Sequence, residues 1–154
     1  MKTKAFKIIK RLVIGALVTV GLLYGLAYAI YYFKFTPTFF DRPSNLTAKT
    51  ETIDVWYVNW ACNCADFIET KYSKNNPDYE TKEEDCIFIE PSDPSLTVPD
   101  SFYSKAHFEK KLRLTGQFYQ NKGIPKSYEM KTPGEKPDKA KVFRYDKIEI
   151  IDND

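Results

Sequence analysis

The chain is poor in the residues that most enzyme signatures require. Its 154 residues include one histidine, three cysteines and six glycines. The glycines form neither a G-x-x-x-x-G-K-[ST] nor a G-x-G-x-x-G pattern, which excludes the common phosphate-binding and dinucleotide-binding loops. There is no G-x-S-x-G sequence, and a Ser-His-acid hydrolase would have to rely on His107 alone. The chain length also excludes an enzyme with separate cofactor and substrate domains.

Charge is absent from one continuous stretch, residues 12–33. At ~1.5 Å per residue a helix of this length crosses the ~30 Å hydrocarbon core of a bilayer. Five basic residues and no acidic residue precede the stretch. The positive-inside rule therefore predicts a single-pass membrane protein with a cytoplasmic N-terminus and residues 34–154 on the periplasmic or extracytoplasmic side.

A cleaved signal peptide is the competing interpretation of the same stretch. Ala27-Tyr28-Ala29 has the small-x-small form of a cleavage site. Apolar residues nevertheless continue to Phe33, so we expect an uncleaved signal-anchor. Both interpretations export the same C-terminal domain.

The exported part differs in charge from the N-terminal part. Residues 34–154 hold 18 basic and 21 acidic side chains, and this mildly acidic balance argues against nucleic acid as a partner. We divide the chain into a cytoplasmic basic segment (1–11), a transmembrane helix (12–33), a proline-containing tether (34–51) and an exported domain (52–154).

The exported domain has the pattern of a β protein. Residues 52–60 and 86–90 are rich in β-branched and aromatic side chains, and residues 111–119 alternate between apolar and polar. Gly116 in the middle of that alternation predicts a bulge or tight bend. In residues 140–151 the alternation changes phase near Asp146, which predicts another bulge or bend.

Three weaker signals complete the secondary structure. Residues 127–130 are a candidate short strand, and residues 65–72 and 101–110 are candidate short helices. The fold class that follows is mainly β, a small Greek-key (OB-like) barrel after one N-terminal transmembrane helix. A β-sandwich is the alternative.

Several segments carry a family resemblance. LRLTGQFYQNKGIPKSY (residues 112–128), followed by KVFRYDKIEII (141–151), resembles the second half of small exported OB-like proteins of the Bacteroidota. WACNC (60–64) and CIFIEP (86–91) are similar to the same group, and the resemblance covers most of residues 52–151. It implies the OB-like fold and adds no catalytic residue.

The three cysteines, Cys62, Cys64 and Cys86, are disulfide candidates because an oxidising compartment favours pairing. If the chain is extended, a bond between Cys62 and Cys64 closes a very tight ring. We therefore expect Cys86 to pair with one of the other two, with a slight preference for Cys64–Cys86. The alternative function class is metal or redox handling by the three cysteines, with His107 as a fourth metal ligand.

A ligand face is predicted beside the alternating strand, because OB-type barrels bind ligands on one sheet face and its loops. The candidate residues are Gln117, Tyr119, Lys122, Lys126 and Tyr128. We expect no catalytic residue and no cofactor. The expected function is a membrane-anchored, non-catalytic envelope module that binds another envelope protein, a glycan or a peptide.

Overall fold

The computed structural model describes residues 2–74, 76 and 78–152, with only the backbone described for residues 2–5 and 105–108. The chain divides into two compact units between Thr36 and Pro37. The first unit is a long helix and the second is a β-barrel. The candidate role of His107 as a metal ligand lies outside the described side chains.

The helix α1 runs from Lys2 to Phe35 and contains a stretch long and apolar enough to cross a membrane. Its 34 residues correspond to about 51 Å. It extends past both ends of the predicted span. The basic residues before the apolar stretch are also helical, and so are the two residues after it. The prediction of one long N-terminal apolar helix is confirmed.

The second unit contains five strands that close into a barrel in the order β1-β2-β3-β5-β4. All neighbouring strands are antiparallel except β3 and β5, which are parallel. A helix, α3, lies between β3 and β4 in sequence, and a one-turn helix, α2, follows β2. The bounds are β1 Glu51–Tyr57, β2 Phe67–Glu69, α2 Lys71–Lys74, β3 Ile87–Pro91, α3 Asp100–Glu109, β4 Lys110–Phe118 and β5 Lys141–Asp152. The predicted small barrel is confirmed over the alternative of a sandwich.

Alternate side chains of the strands fill the interior of the barrel. On β4, Leu112 and Leu114 point inward and are fully buried, and Phe118 packs against the same interior. Phe143 and Tyr145 of β5 meet them from the neighbouring strand. This is the period of two expected for strands with one buried face.

A second hydrophobic cluster covers the outer face of the same sheet. Ile68 of β2, Phe88 of β3 and Val142 of β5 point outward yet are buried. Residues from the β1–β2, β2–β3 and β4–β5 connections pack on them, including Trp60 and Ile124. The long loops are therefore folded onto the sheet rather than left in solvent.

The two predicted irregularities form a single bulge. Thr115 pairs with Lys147 and Gly116 pairs with Tyr145, so Asp146 has no partner on β4. A Cβ on Gly116 would lie 2.1 Å from the carbonyl oxygen of Arg144. Because β4 and β5 approach this closely, only glycine fits, and the extra residue bends β5.

The weaker sequence signals are only partly correct. Residues 127–130 form turns and coil instead of a strand, and residues 65–72 contain β2 and the start of α2 instead of one helix. The strand that the sequence pattern does not predict is β2, which has three residues, all of them buried. A strand of this length shows no alternation that would distinguish it. The helix expected over residues 101–110 is confirmed as α3.

The segment expected to be a tether is bound to the barrel. Residues from Pro37 onward belong to the barrel unit. Thr47 N–H donates to the Phe118 carbonyl (2.8 Å), and Ile124 N–H donates to the Asp41 carbonyl (2.8 Å). We call residues 38–47 the docked segment. Its backbone is satisfied by the end of β4 and the following loop, which the sequence pattern alone did not reveal.

Replacing Gly116 with alanine tests the close approach of β4 and β5. We expect Gly116→Ala to lower the free energy of unfolding by about 3 kcal/mol or more, because the added Cβ meets backbone atoms that cannot move aside. Denaturation of the full chain in detergent, followed by circular dichroism of the sheet, measures this. The control is Gly134→Ala. Gly134 has a φ of 112° but nothing within 4 Å of an added Cβ, so its cost is about 1–2 kcal/mol. Equal losses for the two variants would contradict the close approach.

Candidate ligand site

A cavity of about 530 Å³ lies where the barrel wall is incomplete. β2 and β3 share a single pair of opposed residues, Phe67 and Ile87. The second half of β3 therefore extends beyond β2, ending at Pro91, which has no N–H to offer a neighbouring strand. The space beside it is bordered by the start of α3 and by the β4–β5 loop. The short β2 thus creates an opening at the rim of the barrel.

The cavity combines aromatic rings with carboxylates. Its rings include those of Phe67, Phe88, Tyr103, Tyr128 and Tyr145. All of its charged lining residues are acidic, namely Asp66, Asp100 and Glu129. Among the side chains that the structure describes, Asp100 and Glu129 form no ion pair. The cavity is therefore an electronegative, aromatic site.

Asp66 differs from the other two acids because it is partly buried and paired. Lys131 Nζ lies 2.5 Å from Asp66 Oδ1 and also donates to the Trp60 carbonyl (3.1 Å). Burial raises the pKa of Asp66, and the hydrogen bond from Lys131 offsets only part of that effect. The free negative charge of the cavity therefore comes mainly from Asp100 and Glu129.

The tyrosines stay neutral at physiological pH. Burial raises the pKa of Tyr103 and of Tyr128 to about 12. Tyr128 packs edge-on against Phe88 with ring centroids 5.0 Å apart. Within the described part of the chain, the Tyr128 hydroxyl is buried without a hydrogen-bond partner, a condition that costs about 1–3 kcal/mol.

The β4–β5 loop, residues 119–140, forms one wall of the cavity and is fixed from several sides. Glu90 of β3 accepts hydrogen bonds from the Tyr119 hydroxyl (2.7 Å) and from Lys126 N–H (2.9 Å). Arg42 of the docked segment donates to the carbonyls of Ile124 (3.2 Å) and Pro125. These bonds hold the loop against β3, so the wall is preformed.

Asn63 and Asp41 fix the far half of the loop. The Asn63 amide donates to the carbonyls of Thr132 and Glu135, each at 2.7 Å, and its oxygen accepts from Lys131 N–H at 2.8 Å.

Asp41, which is 5% exposed, accepts from Lys136 Nζ at 3.1 Å through both oxygens, and Lys139 Nζ lies 3.4 Å away. Burial pushes the pKa of Asp41 upward, but hydrogen bonds from Thr38 and Lys136 outweigh it and hold the pKa below its usual range.

The predicted ligand-face residues do not form one face. The Gln117 amide donates to the Thr47 carbonyl (2.6 Å), and the Tyr119 hydroxyl donates to Glu90. Burial, together with this hydrogen bond, raises the pKa of Tyr119 to about 12. Lys122 borders a different depression, and Lys126 is exposed. Tyr128 lines the cavity. The sheet face itself is covered by the chain's own loops, so the open surface lies at the rim.

The expected disulfide pairing is wrong. Cys62 and Cys64 are joined to each other, and Cys86 is a buried free thiol. The chain bends at residues 61–64, which brings the two Cα atoms to 5.5 Å, within the usual range for a disulfide. Cys86 Sγ instead accepts from Trp60 Nε1 (3.4 Å). Burial raises the pKa of the Cys86 thiol, so it is a poor nucleophile.

The three cysteines do not come together as a metal site. Among the described residues, the donor atoms that cluster within 4.8 Å are those of Cys62, Cys64 and Glu83. Cys86 is not part of that cluster, and the two other sulfurs are joined in the disulfide. The structure therefore does not bring Cys86 to the other two cysteines, and Glu83 lies beside them instead.

Sequence reasoning missed Asp41, Asn63 and the acids of the cavity. One signal was present for Asp41, because Thr38-x-x-Asp41 has the spacing of a capping box. Asp66, Asp100 and Glu129 belong to three separate segments, and only the closed barrel brings them together.

The fold and the site define a class of protein, a small closed barrel that follows a long apolar helix and carries an acidic cavity at its rim. No protein-family model, curated protein or solved structure matches this chain.

Alkylation of the native and denatured protein tests the cysteine pairing. We expect no thiol to react in the folded full chain, one to react after denaturation without reductant, and all three to react after reduction. Mass spectrometry of tryptic peptides would place the single label on Cys86. A label on Cys62, or a peptide cross-linked through Cys86, would contradict the pairing.

Asp41 gives the fold a specific acid sensitivity. We expect Asp41→Asn to cost about 1–3 kcal/mol of unfolding free energy at pH 7, because Lys136 and Lys139 lose their buried partner. The pKa of Asp41 is lower in the folded protein than in the unfolded chain. Its contribution is therefore present above the unfolded pKa of about 3.9 and is lost as the pH falls below it.

Denaturant titrations of the full chain at pH 7 and at successively lower pH measure this difference between the wild type and Asp41→Asn. The control is Asp152→Asn, which removes an exposed partner of Lys110 and is expected to change stability by at most about 0.5 kcal/mol. A difference between wild type and Asp41→Asn that does not shrink with falling pH would refute this role of Asp41.

Proposed function

We propose that this protein is a membrane-anchored, non-catalytic binding module whose barrel is displayed on the extracytoplasmic side. The observation that carries the proposal is the preformed acidic and aromatic cavity at the rim of the barrel. The anchor is α1, and five basic residues before its apolar stretch favour a cytoplasmic N-terminus.

The chemistry of the cavity favours a ligand with a positive group. Asp100 and Glu129 supply free negative charge, and the rings of Tyr103 and Tyr128 offer π faces and edges. An ammonium or guanidinium group near an aromatic ring gains about 0.5–2 kcal/mol, depending on how far it is desolvated. A volume of about 530 Å³ suits one or two side chains of a partner polypeptide. We therefore assign the site to a basic peptide segment of an envelope protein.

A glycan is the other ligand class that aromatic and carboxylate groups accept. Sugar hydroxyls donate hydrogen bonds to carboxylates, but a neutral sugar does not balance the charge of Asp100 and Glu129, which form no ion pair among the described side chains. The thiol-based alternative has less support, because Cys86 is buried and the other two cysteines are paired. The basic peptide is thus the ligand that uses all the features of the cavity.

Calorimetric titration of the full chain in detergent tests the assignment. The probes are an end-blocked tri-arginine peptide and a neutral chitin trisaccharide. We expect the peptide to bind and the sugar not to bind, with an affinity that falls as salt rises because the attraction is between charges. The double variant Asp100→Asn, Glu129→Gln is expected to weaken peptide binding about tenfold, which equals ~1.4 kcal/mol.

Glu149→Gln is the matched control, because Glu149 is an exposed acid on β5 and does not line the cavity. We expect it to leave peptide affinity unchanged. Equal weakening by the control and the cavity variant would mean nonspecific attraction and would refute the site. Binding of the sugar alone, or of neither probe, would refute the assignment to a basic peptide.

A further inference from the structure

Two neighbouring aromatic side chains of the barrel unit are almost fully exposed. Phe39 is 85% exposed and Phe40 is 77% exposed, with ring centroids 6.0 Å apart. The other large apolar or aromatic side chains exposed in the described part of this unit are Tyr103 at 37% and Ile150 at 45%. Burying one phenylalanine gains about 1.5–3 kcal/mol, so two adjacent exposed rings call for a partner.

The exposed pair is held in place. Phe39 and Phe40 lie in a 3-10 turn that ends at Asp41, and Thr38 donates to the Asp41 carboxylate from both its N–H and its hydroxyl, each at 2.9 Å. Lys139 Nζ donates to the Phe40 carbonyl at 3.0 Å. The turn is therefore attached on both sides of the pair, and the exposure of the rings is not fraying of a chain end.

The short connection between α1 and the turn limits how far the aromatic pair can lie from the end of the helix. Phe39 follows Phe35, the last residue of α1, by four residues. Four residues of extended chain reach at most about 14 Å. If α1 crosses a bilayer, Phe39 is therefore within this distance of the helix end. Aromatic rings favour the interface between headgroups and hydrocarbon, where α1 also carries Tyr31 and Tyr32.

The charges around the pair suit the same surface. Lys139 lies beside the turn, donates to the Phe40 carbonyl and is about half exposed. An exposed ammonium group at this position complements the phosphate of a lipid headgroup. A second copy of the chain or another protein would also cover apolar rings. The short connection to α1, however, brings the rings near the bilayer without any such partner.

We propose that Phe39 and Phe40 insert into the lipid interface and dock the barrel on the bilayer surface. This inference goes beyond the proposed ligand function and rests only on α1 crossing the membrane.

Depth-dependent fluorescence quenching tests the docking on the full chain in vesicles of phosphatidylethanolamine and phosphatidylglycerol. Three single tryptophan substitutions are compared, Phe39→Trp, Ile150→Trp and Leu22→Trp, each after subtraction of the emission of Trp56 and Trp60 in the unsubstituted protein. Ile150 is the matched control, because it is exposed and apolar but lies near the end of β5, eleven residues after Lys139, whose ammonium group contacts the Phe40 carbonyl.

We expect lipids brominated close to the headgroup to quench Phe39→Trp strongly and Ile150→Trp not at all. Lipids brominated deep in the chains are expected to quench Leu22→Trp, which reports on the anchor itself. Equal quenching at positions 39 and 150, with Leu22→Trp quenched, would overturn the docking and leave the anchor intact. An unquenched Leu22→Trp would overturn the anchor and the docking together, whereas the peptide titration in detergent would be unaffected.

Discussion

The barrel closes because β4 and β5 approach each other so closely at Gly116 that no side chain fits between them. Asp146 is left over in the pairing and bends β5 at the same point. The first part of β5 is then free to run parallel to β3, and the second part continues along β4. With the bend, five short strands enclose one interior, and Leu112, Leu114 and Phe143 lie inside it without exposure.

Closure also leaves an outer sheet face that the chain covers with its own loops. Ile68, Phe88 and Val142 would be exposed if no loop covered the sheet. Here they form a second hydrophobic core with Ile124 and with residues of the other loops. The outer sheet face, on which a ligand was expected, is thus occupied by the chain itself. The opening that remains is at the rim, because β2 is too short to accompany β3 along its length. The position of the cavity follows from the mismatch between these two strands.

The parts of this structure that were predictable are those with a periodic signal. The alternation in residues 111–119 gave β4, its inward face and the bulge at Gly116, and the phase change near Asp146 gave the other half of that bulge. β2 has no period to detect, because its three residues are all buried. The docked segment is aperiodic, and it is held by hydrogen bonds that it donates to and accepts from groups distant in sequence.

The predicted disulfide pairing is wrong for a related reason. An extended chain was assumed between Cys62 and Cys64, whereas the local bend depends on Asn63 binding the carbonyls of Thr132 and Glu135, far away in sequence. The acids of the cavity are likewise contributed by separate segments. Contacts of this kind are a property of the closed fold and leave no spacing in the sequence.

The docked segment connects the two proposals. Arg42 donates to the Pro125 carbonyl, and Pro125 lines the cavity, whereas Phe39 and Phe40 precede Arg42 by only two or three residues. The exposed aromatic pair and the cavity wall are therefore parts of one hydrogen-bonded assembly. If the pair lies in the lipid interface, these hydrogen bonds link the cavity wall to the part of the chain that meets the bilayer. Taken together, the two proposals favour a partner in the same membrane over a soluble protein, because peptide segments that emerge from the membrane or lie along it are then nearest to the site.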